Sequence, residues 1–201
     1  MTVTDDEVKQ IESRALAIRK TIIEMLAEAK SGHTSGPLGM ADIFAALYFH
    51  VLKHNPKDSE WAERDRLFLS NGHICPVRYA AMAHAGYFPV EECLTLRKFG
   101  SRLQGHPERG LLPGVETTSG PLGSGISQAA GYAYAARMDK KPFRVFCATS
   151  DGEHEEGNTW EGAMFAGKYR LTNLTAIMDR NNIQIDGNTE DIMPLEPLAD
   201  K

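Results

Sequence analysis

The chain has 201 residues, of which 42% are hydrophobic and 24% are charged, and its formal net charge at pH 7 is −5. This length suits one domain with a substantial core, and the composition is typical of a globular protein. The negative charge argues against nucleic acid or an anionic membrane as the main partner. No apolar run approaches the roughly 20 residues that a membrane span needs.

The cysteines and the first residues indicate the compartment. Cys75, Cys93 and Cys147 are widely separated and form no metal-binding pair, and no basic segment followed by an apolar stretch opens the chain. We therefore expect free thiols and a cytoplasmic protein.

The first half of the chain is predicted to be mainly helical. Thr4 and Glu7 match a capping box, and apolar residues then recur every three or four positions as far as Ala29. This pattern predicts one long helix that ends at Ser31-Gly32. A second helix is predicted over residues 39–54.

A short strand is predicted next, over residues 66–70. Pro76 and Pro89 then stand where first-turn prolines begin helices. Residues 100–125 form a long glycine-rich segment without a period of its own, and loops of this length are usually functional or disordered.

The second half alternates strands and helices. The predicted elements are a helix over 127–138, a strand over 143–149, a helix over 159–169 and a strand over 174–179. Strand, helix and strand at this spacing form a βαβ unit, which implies a parallel sheet covered by helices. Residues 194–201 look like the beginning of a further helix.

Polar residues follow two of these strands. Asp151-Gly152 comes after the first strand and Asn181-Asn182-Ile183 after the second. In parallel sheets, ligands bind at the carboxyl ends of strands, and carboxylate, amide and carbonyl oxygens suit Mg²⁺ or Ca²⁺. Such an ion would offset the acidic residues that follow Asp151 and would carry a di- or triphosphate ligand.

The spacing of these residues resembles a known signature. The pattern of Asp-Gly, followed after 28 residues by Asn-Asn, is similar to the motif of thiamine-diphosphate enzymes. Ser150 stands in place of the usual first glycine of that motif. Five further segments match transketolase in order: Ser31-Gly-His33, Leu69-Ser-Asn-Gly-His73, Gln104-Gly-His-Pro-Glu108, Thr118-Ser-Gly-Pro-Leu-Gly123 and Ile185-Asp-Gly187. The chain thus resembles the diphosphate-binding part of the transketolase family.

The resemblance implies a set of residues around the diphosphate. Asp151, Asn181 and the carbonyl of Ile183 would hold Mg²⁺, for which Ca²⁺ or Mn²⁺ are substitutes. The Gly152 N–H and His73 would contact the diphosphate of thiamine diphosphate itself.

The resemblance also implies residues beside the reacting centre. Gly120 and Leu122 would lie along the aminopyrimidine, and His33 and His106 would face the substrate. Glu156 would join a carboxylate network across a subunit interface. Histidine suits hydroxyl orientation and proton transfer because its pKa lies near neutrality.

Departures from the family pattern shape the functional prediction. The family glutamate that activates the cofactor lies in a separate pyrimidine-binding domain, and a further family histidine would lie past Lys201. Ile74-Cys75-Pro76 also differs from the small residues usual after His73. We therefore expect an α/β fold, a parallel-sheet sandwich covered by helices, as one diphosphate-binding domain over residues 1–201 that is incomplete at its C-terminal end.

These features predict the N-terminal subunit of a split transketolase. Such a transferase moves a two-carbon ketol unit between sugar phosphates, as in the pentose phosphate pathway. It would act only with a C-terminal subunit that carries the pyrimidine-binding domain, in a dimer of heterodimers.

Three alternatives remain open at this point. One is another thiamine-diphosphate ketol transferase or synthase, similar to deoxyxylulose-phosphate synthase. Another is an inactive assembly subunit. The last, a generic Mg²⁺-nucleotide-binding domain, has no phosphate loop to support it.

Overall fold

The computed structural model describes residues 3–201 and divides the chain into two compact units. The first unit comprises the residues up to 64 together with 73–118. The second comprises 65–72 and 119–201.

The first unit is built from helices. Its α-helices are α1 (Asp5–Ala29), α2 (Ser35–Gly39), α3 (Ala41–Ala46) and α4 (Cys75–His84). A π-helical turn, Leu47–Val51, continues α3, and 3₁₀ helices span Gly72–Ile74 and Val90–Thr95.

The capping box at the start of α1 is confirmed. The Thr4 hydroxyl accepts a hydrogen bond from the Glu7 N–H at 3.3 Å, and the Glu7 carboxylate accepts one from the Thr4 N–H at 2.9 Å. Lys30 ends the helix in the left-handed region, with φ of 52°. Helix α1 packs against α3 and α4, and its buried apolar stripe includes Ala15, Ile18, Ile22 and Met25.

Two helix predictions in this unit are wrong in detail. The helix expected over residues 39–54 begins earlier, at Ser35, and is interrupted at Met40, where φ and ψ of −85° and 1° leave the helical range. Pro37 lies in the first turn of α2, where its missing N–H costs no hydrogen bond, so this earlier start is favourable. Pro76 begins α4 as predicted, but Pro89 precedes only a 3₁₀ helix.

The second unit contains the predicted parallel sheet. Its strands are β1 (Arg66–Leu69), β2 (Val145–Ser150) and β3 (Leu174–Asp179), in the order β1-β2-β3. The register pairs Leu67 with Phe146, and Ser150 with Asp179.

Helices α5 (Ser124–Met138) and α6 (Gly157–Lys168) complete this βαβ arrangement. Helix α5 packs on β1 and β2 through the buried small residues Ala129, Ala130 and Ala133, which allow a close approach of helix and sheet. The pairing of Ser150 with Asp179 places the end of β2 beside the end of β3.

The last part of the chain differs most from expectation. It holds the hairpin β4 (Ile183–Gln184) and β5 (Gly187–Asn188), followed by α7 (Thr189–Ile192) and a 3₁₀ turn, Leu198–Asp200. The helix expected to begin within 194–201 is only that turn. Strands of two residues carry no readable alternation of polar and apolar residues, so the sequence pattern missed them. Within residues 3–201, no helix is both long and apolar enough to span a membrane.

Candidate functional site

Asp151 is the centre of the predicted metal site, and its two carboxylate oxygens have different surroundings. The residue follows β2 and is 1% exposed. Its Oδ2 accepts hydrogen bonds from Arg180 Nη1 at 2.8 Å, the Asn182 N–H at 2.7 Å and Thr189 Oγ1 at 3.2 Å. Its Oδ1 is buried and has no hydrogen-bond partner among the described residues. A buried acceptor without a donor is rare, and it leaves this oxygen available to a cation.

Asn181 lies at the neighbouring strand end, as predicted. Its Oδ1 accepts a hydrogen bond from the Ile183 N–H at 3.0 Å, and its Nδ2 donates one to Asp179 Oδ2 at 3.1 Å. The bond between Asn182 and Asp151 shows that the two strand ends are in direct contact.

The donor set of this site fits Mg²⁺. Residues 3–201 contain no cluster of three His, Cys, Asp or Glu side chains placed to hold a metal ion. The predicted ligands are one carboxylate, one amide oxygen and one backbone carbonyl, and this ligand set stays a prediction. Mg²⁺ accepts few protein ligands when waters and phosphate oxygens complete its coordination.

Arg180 is also part of this site, although no sequence motif predicts it. Its guanidinium pairs with Asp151, with Glu190, and through Nε with Glu196 Oε1 at 3.1 Å. The positive charge that the acidic loop requires is thus supplied in part by the protein itself. The available signal was an arginine directly after β3, one residue before Asn181.

Glu153 is a second missed residue, and it connects three chain segments. It is fully buried, and its Oε1 accepts hydrogen bonds from the Gly123 N–H at 2.9 Å and from the Ser70 hydroxyl. Its Oε2 accepts one from the Ser150 N–H at 2.9 Å. Burial raises the pKa of Glu153, while these hydrogen bonds oppose that rise. The carboxyl group holds the ends of β1 and β2 to the start of α5.

The other predicted residues of this unit are placed as follows. Gly152 begins the 3₁₀ turn directly after Asp151, and a Cβ at Gly120 would meet no atom within 4 Å, so the space beside it is open. Leu122 is half-buried before α5, and Glu156 is exposed before α6. Their roles stay predictions.

The three predicted histidines lie together in the first unit. The rings of His33 and His73 have centroids 4.9 Å apart and planes inclined by 53°. A Cβ at Gly36 would lie 2.8 Å from Ile74 Cγ2, so only glycine allows the start of α2 to come this near the turn that carries His73. His106 is close enough to both rings to interact with them electrostatically.

The surroundings lower the pKa of all three imidazoles. Burial, with smaller contributions from His33 and His106, lowers the pKa of His73 to about 4. Burial lowers the pKa of His33 and of His106, and the cation Arg97 lowers each further. His73 is therefore neutral at physiological pH, because burial disfavours its charged form.

The cysteines agree with the sequence analysis. Cys75, Cys93 and Cys147 are all buried and free. Burial raises the pKa of the Cys75 and Cys93 thiols to about 12, so both stay protonated at neutral pH.

Comparison with known proteins gives the family. Residues 11–197 match the model of the transketolase, thiamine diphosphate binding domain. The chain belongs to the transketolase family. A 6-deoxy-6-sulfo-D-fructose transketolase subunit of Clostridium sp. strain MSTE9 is 45% identical over 191 residues, which cover 95% of this chain and 70% of that relative. An apulose-4-phosphate transketolase subunit of Phocaeicola vulgatus is 38% identical over 97% of this chain and 69% of its own length.

Solved structures agree with this assignment. Transketolase from Leishmania mexicana superimposes with a TM-score of 0.89 and 37% identity over 94% of this chain. The present chain spans about 30% of that transketolase chain. The predicted fold, helices around a parallel sheet as in the N-terminal domain of transketolase, is confirmed.

Proposed function

We propose that the chain is the N-terminal subunit of a two-chain transketolase. It binds thiamine diphosphate and Mg²⁺ and transfers a two-carbon ketol unit between sugar phosphates. The observation that carries this proposal is Asp151, whose Oδ2 is anchored by three donors while its buried Oδ1 has no partner within the described residues.

The cofactor is held through its metal ion and its diphosphate. Asp151, Asn181 and the Ile183 carbonyl would hold Mg²⁺, and the Gly152 N–H and His73 would contact the diphosphate. When bound, thiamine diphosphate supplies the electron sink that stabilises a carbanion. A neutral His73 suits this position because it offers one N–H donor and one acceptor.

The remaining predicted residues belong to the same proposal. His33 and His106 orient substrate hydroxyls, and burial lowers the pKa of both rings, which favours their uncharged form. Gly120 and Leu122 lie along the aminopyrimidine, and Glu156 joins the interface network.

A partner chain completes the enzyme. Two relatives that this chain covers to about 70% are named as subunits, which supports a separate C-terminal chain with the pyrimidine-binding domain. The relatives' names concern a sulfosugar and a sugar phosphate, so we expect an anionic ketose as donor. The dimer of heterodimers, the pentose phosphate pathway and the cytoplasmic location stay predictions.

Reconstitution tests this function. The chain alone is expected to turn over nothing, and mixing it with its partner in the presence of thiamine diphosphate and Mg²⁺ restores ketol transfer from a ketose phosphate. Asp151→Ala should lower turnover of the assembled pair at least 100-fold, since the metal loses its carboxylate. Robust turnover by the chain alone would contradict the proposal.

Calorimetry of the assembled pair separates this function from a purely assembling role. Titration with thiamine diphosphate and Mg²⁺ should release heat in the wild-type pair and none in the Asp151→Ala pair. Absence of heat in the wild-type pair would show that the chain has only an assembly role.

A further inference from the structure

The loop that leads to His106 is attached to helix α4 by two side chains. Cys75 and Tyr79 lie one turn apart on α4. The Tyr79 hydroxyl donates a hydrogen bond to the Gln104 carbonyl at 2.9 Å, and the Cys75 thiol donates to the Gly105 carbonyl at 3.1 Å. These are the two carbonyls directly before His106.

Both donors are built into the core of the first unit. Cys75 and Tyr79 are each 1% exposed. Burial raises the pKa of the Cys75 thiol to about 12 and raises the pKa of Tyr79 as well, so both keep the proton that the hydrogen bond requires. A carbonyl that lost such a donor in this interior would remain unsatisfied, which costs about 1–3 kcal/mol.

The same loop is restrained on its other side. The Arg97 N–H donates to the Leu103 carbonyl at 3.0 Å, and Leu103 is fully buried. A Cβ at Gly105 would lie 2.6 Å from Arg97 Nε, so the arginine side chain packs directly on the glycine backbone. The peptide before His106 therefore has little freedom to move.

We propose that Cys75 and Tyr79 are positioning residues for His106. Helix α4 begins directly after the turn that carries His73, and through these two hydrogen bonds it also determines where His106 stands. One rigid helix thus sets the spacing between the two imidazoles. The importance of this spacing for turnover rests on the proposed function, in which both histidines serve the reaction centre.

Imidazole NMR of the isolated 201-residue chain tests the positioning without any turnover. The His106 signals are assigned by their loss in His106→Gln and are titrated with pH. In Cys75→Ala/Tyr79→Phe, the loop is released and the ring gains hydration. We expect its proton affinity to rise at least threefold, toward that of a solvated histidine. Cys75→Ser/Tyr79→Phe keeps one donor, and we expect its His106 proton affinity to lie between those of the wild type and the double variant.

Two matched variants control for the loss of buried groups. Cys93→Ala removes a buried thiol of the same unit, and Tyr87→Phe removes a hydroxyl that bonds His54. The His106 titration should be unchanged in both. A His106 titration in the folded double variant that matches the wild type would overturn the proposal. If the double variant fails to fold, Tyr79→Phe alone provides the same comparison.

Turnover then separates the two proposals. In the assembled pair with fructose 6-phosphate as donor, the double variant should lose about tenfold in kcat/KM, while its affinity for thiamine diphosphate changes less than twofold. An inactive wild-type pair together with a shifted His106 titration would refute the proposed function and retain the positioning role. An active double variant with unchanged kcat/KM would refute the role of this spacing in turnover.

Discussion

His73 shows how the surroundings of one residue decide its chemistry. Its sequence neighbours predict a histidine near a cofactor, but they do not reveal its charge. Burial, assisted by His33 and His106, lowers its pKa to about 4. The ring therefore remains neutral throughout the physiological pH range and serves as a hydrogen-bonding group, whereas a histidine of ordinary pKa would be partly charged.

This neutral state makes the stability of the protein depend on pH. Because the folded pKa lies below the unfolded value of 6.5, the unfolded chain binds the proton more readily between pH 6.5 and about 4. The free energy of unfolding should fall as the pH is lowered through this window, by about 2 kcal/mol for this partly exposed group. In His73→Gln this part of the pH dependence should be absent.

Urea unfolding at several pH values between 7 and 4.5 measures the effect. His50→Gln, at an exposed position, is the control and should follow the wild type. Equal pH slopes for wild type and His73→Gln would show that the histidine is not held neutral in the folded chain.

Cys75 illustrates the same dependence on surroundings. The sequence marks it only as a departure from the small residues of the family pattern. In the structure the Cys75 thiol donates a hydrogen bond to the Gly105 carbonyl. The cysteine that replaces the usual small residue therefore helps to hold the loop before His106.

At the scale of elements, the start of α5 shows why boundaries are hard to predict. The apolar pattern predicts a start at residue 127, whereas the helix begins at Ser124. Two N–H groups at this end donate hydrogen bonds to distant parts of the chain. The Gly123 N–H donates to Glu153 Oε1, and the Gly125 N–H donates to Ser70 Oγ. Bonds of this kind extend a helix beyond its apolar pattern.

The glycine at this helix start is expected to be irreplaceable. Gly123 has φ of 79°, and a Cβ there would lie 2.1 Å from Asn158 Oδ1 and 2.9 Å from Glu156 Cβ. Gly123→Ala should lower the free energy of unfolding by about 2 kcal/mol or more, because backbone strain adds to the clash.

Gly131, inside the same helix, is the matched control. A Cβ there would meet no atom within 4 Å, so Gly131→Ala should stabilise the protein by about 0.5–1 kcal/mol. Urea unfolding of both variants measures the two effects. Equal changes in both variants would contradict the role assigned to Gly123.

At the scale of the whole molecule, the chain corresponds to the cofactor-binding part of a larger enzyme. Residues 11–197 match that domain, and solved transketolases extend well beyond it. Binding of a cofactor to the folded state alone must then stabilise the protein by mass action.

Thermal unfolding of the assembled pair tests this linkage. Thiamine diphosphate and Mg²⁺, at about 100 times their dissociation constant, should stabilise the chain by about 2.7 kcal/mol and raise Tm by about 5 °C or more. A chelator should reverse the shift, and Asp151→Ala should abolish it. A shift of the same size in the Asp151→Ala pair would show that the metal site is elsewhere.

The amino-acid sequence alone determined the fold class, the long first helix and the βαβ unit, and it predicted the main site residues. These depend on local periodicity, on turn residues and on ordered motifs, all of which are readable within a few positions of the chain. Asp151 and Asn181 were predicted together because parallel strands bring their carboxyl ends to one edge of the sheet.

Only the tertiary structure decided which groups support the predicted site residues within each unit. Arg180 forms ion pairs with Glu190 and Glu196. Ser70 donates a hydrogen bond to Glu153, and Cys75 donates one to the Gly105 carbonyl. In each case the partners are too far apart in sequence for a local pattern to link them. The neutral state of His73 likewise arises from burial by distant segments. Hydrogen bonds and desolvation depend on which groups meet in space, so they become visible only once the chain has folded.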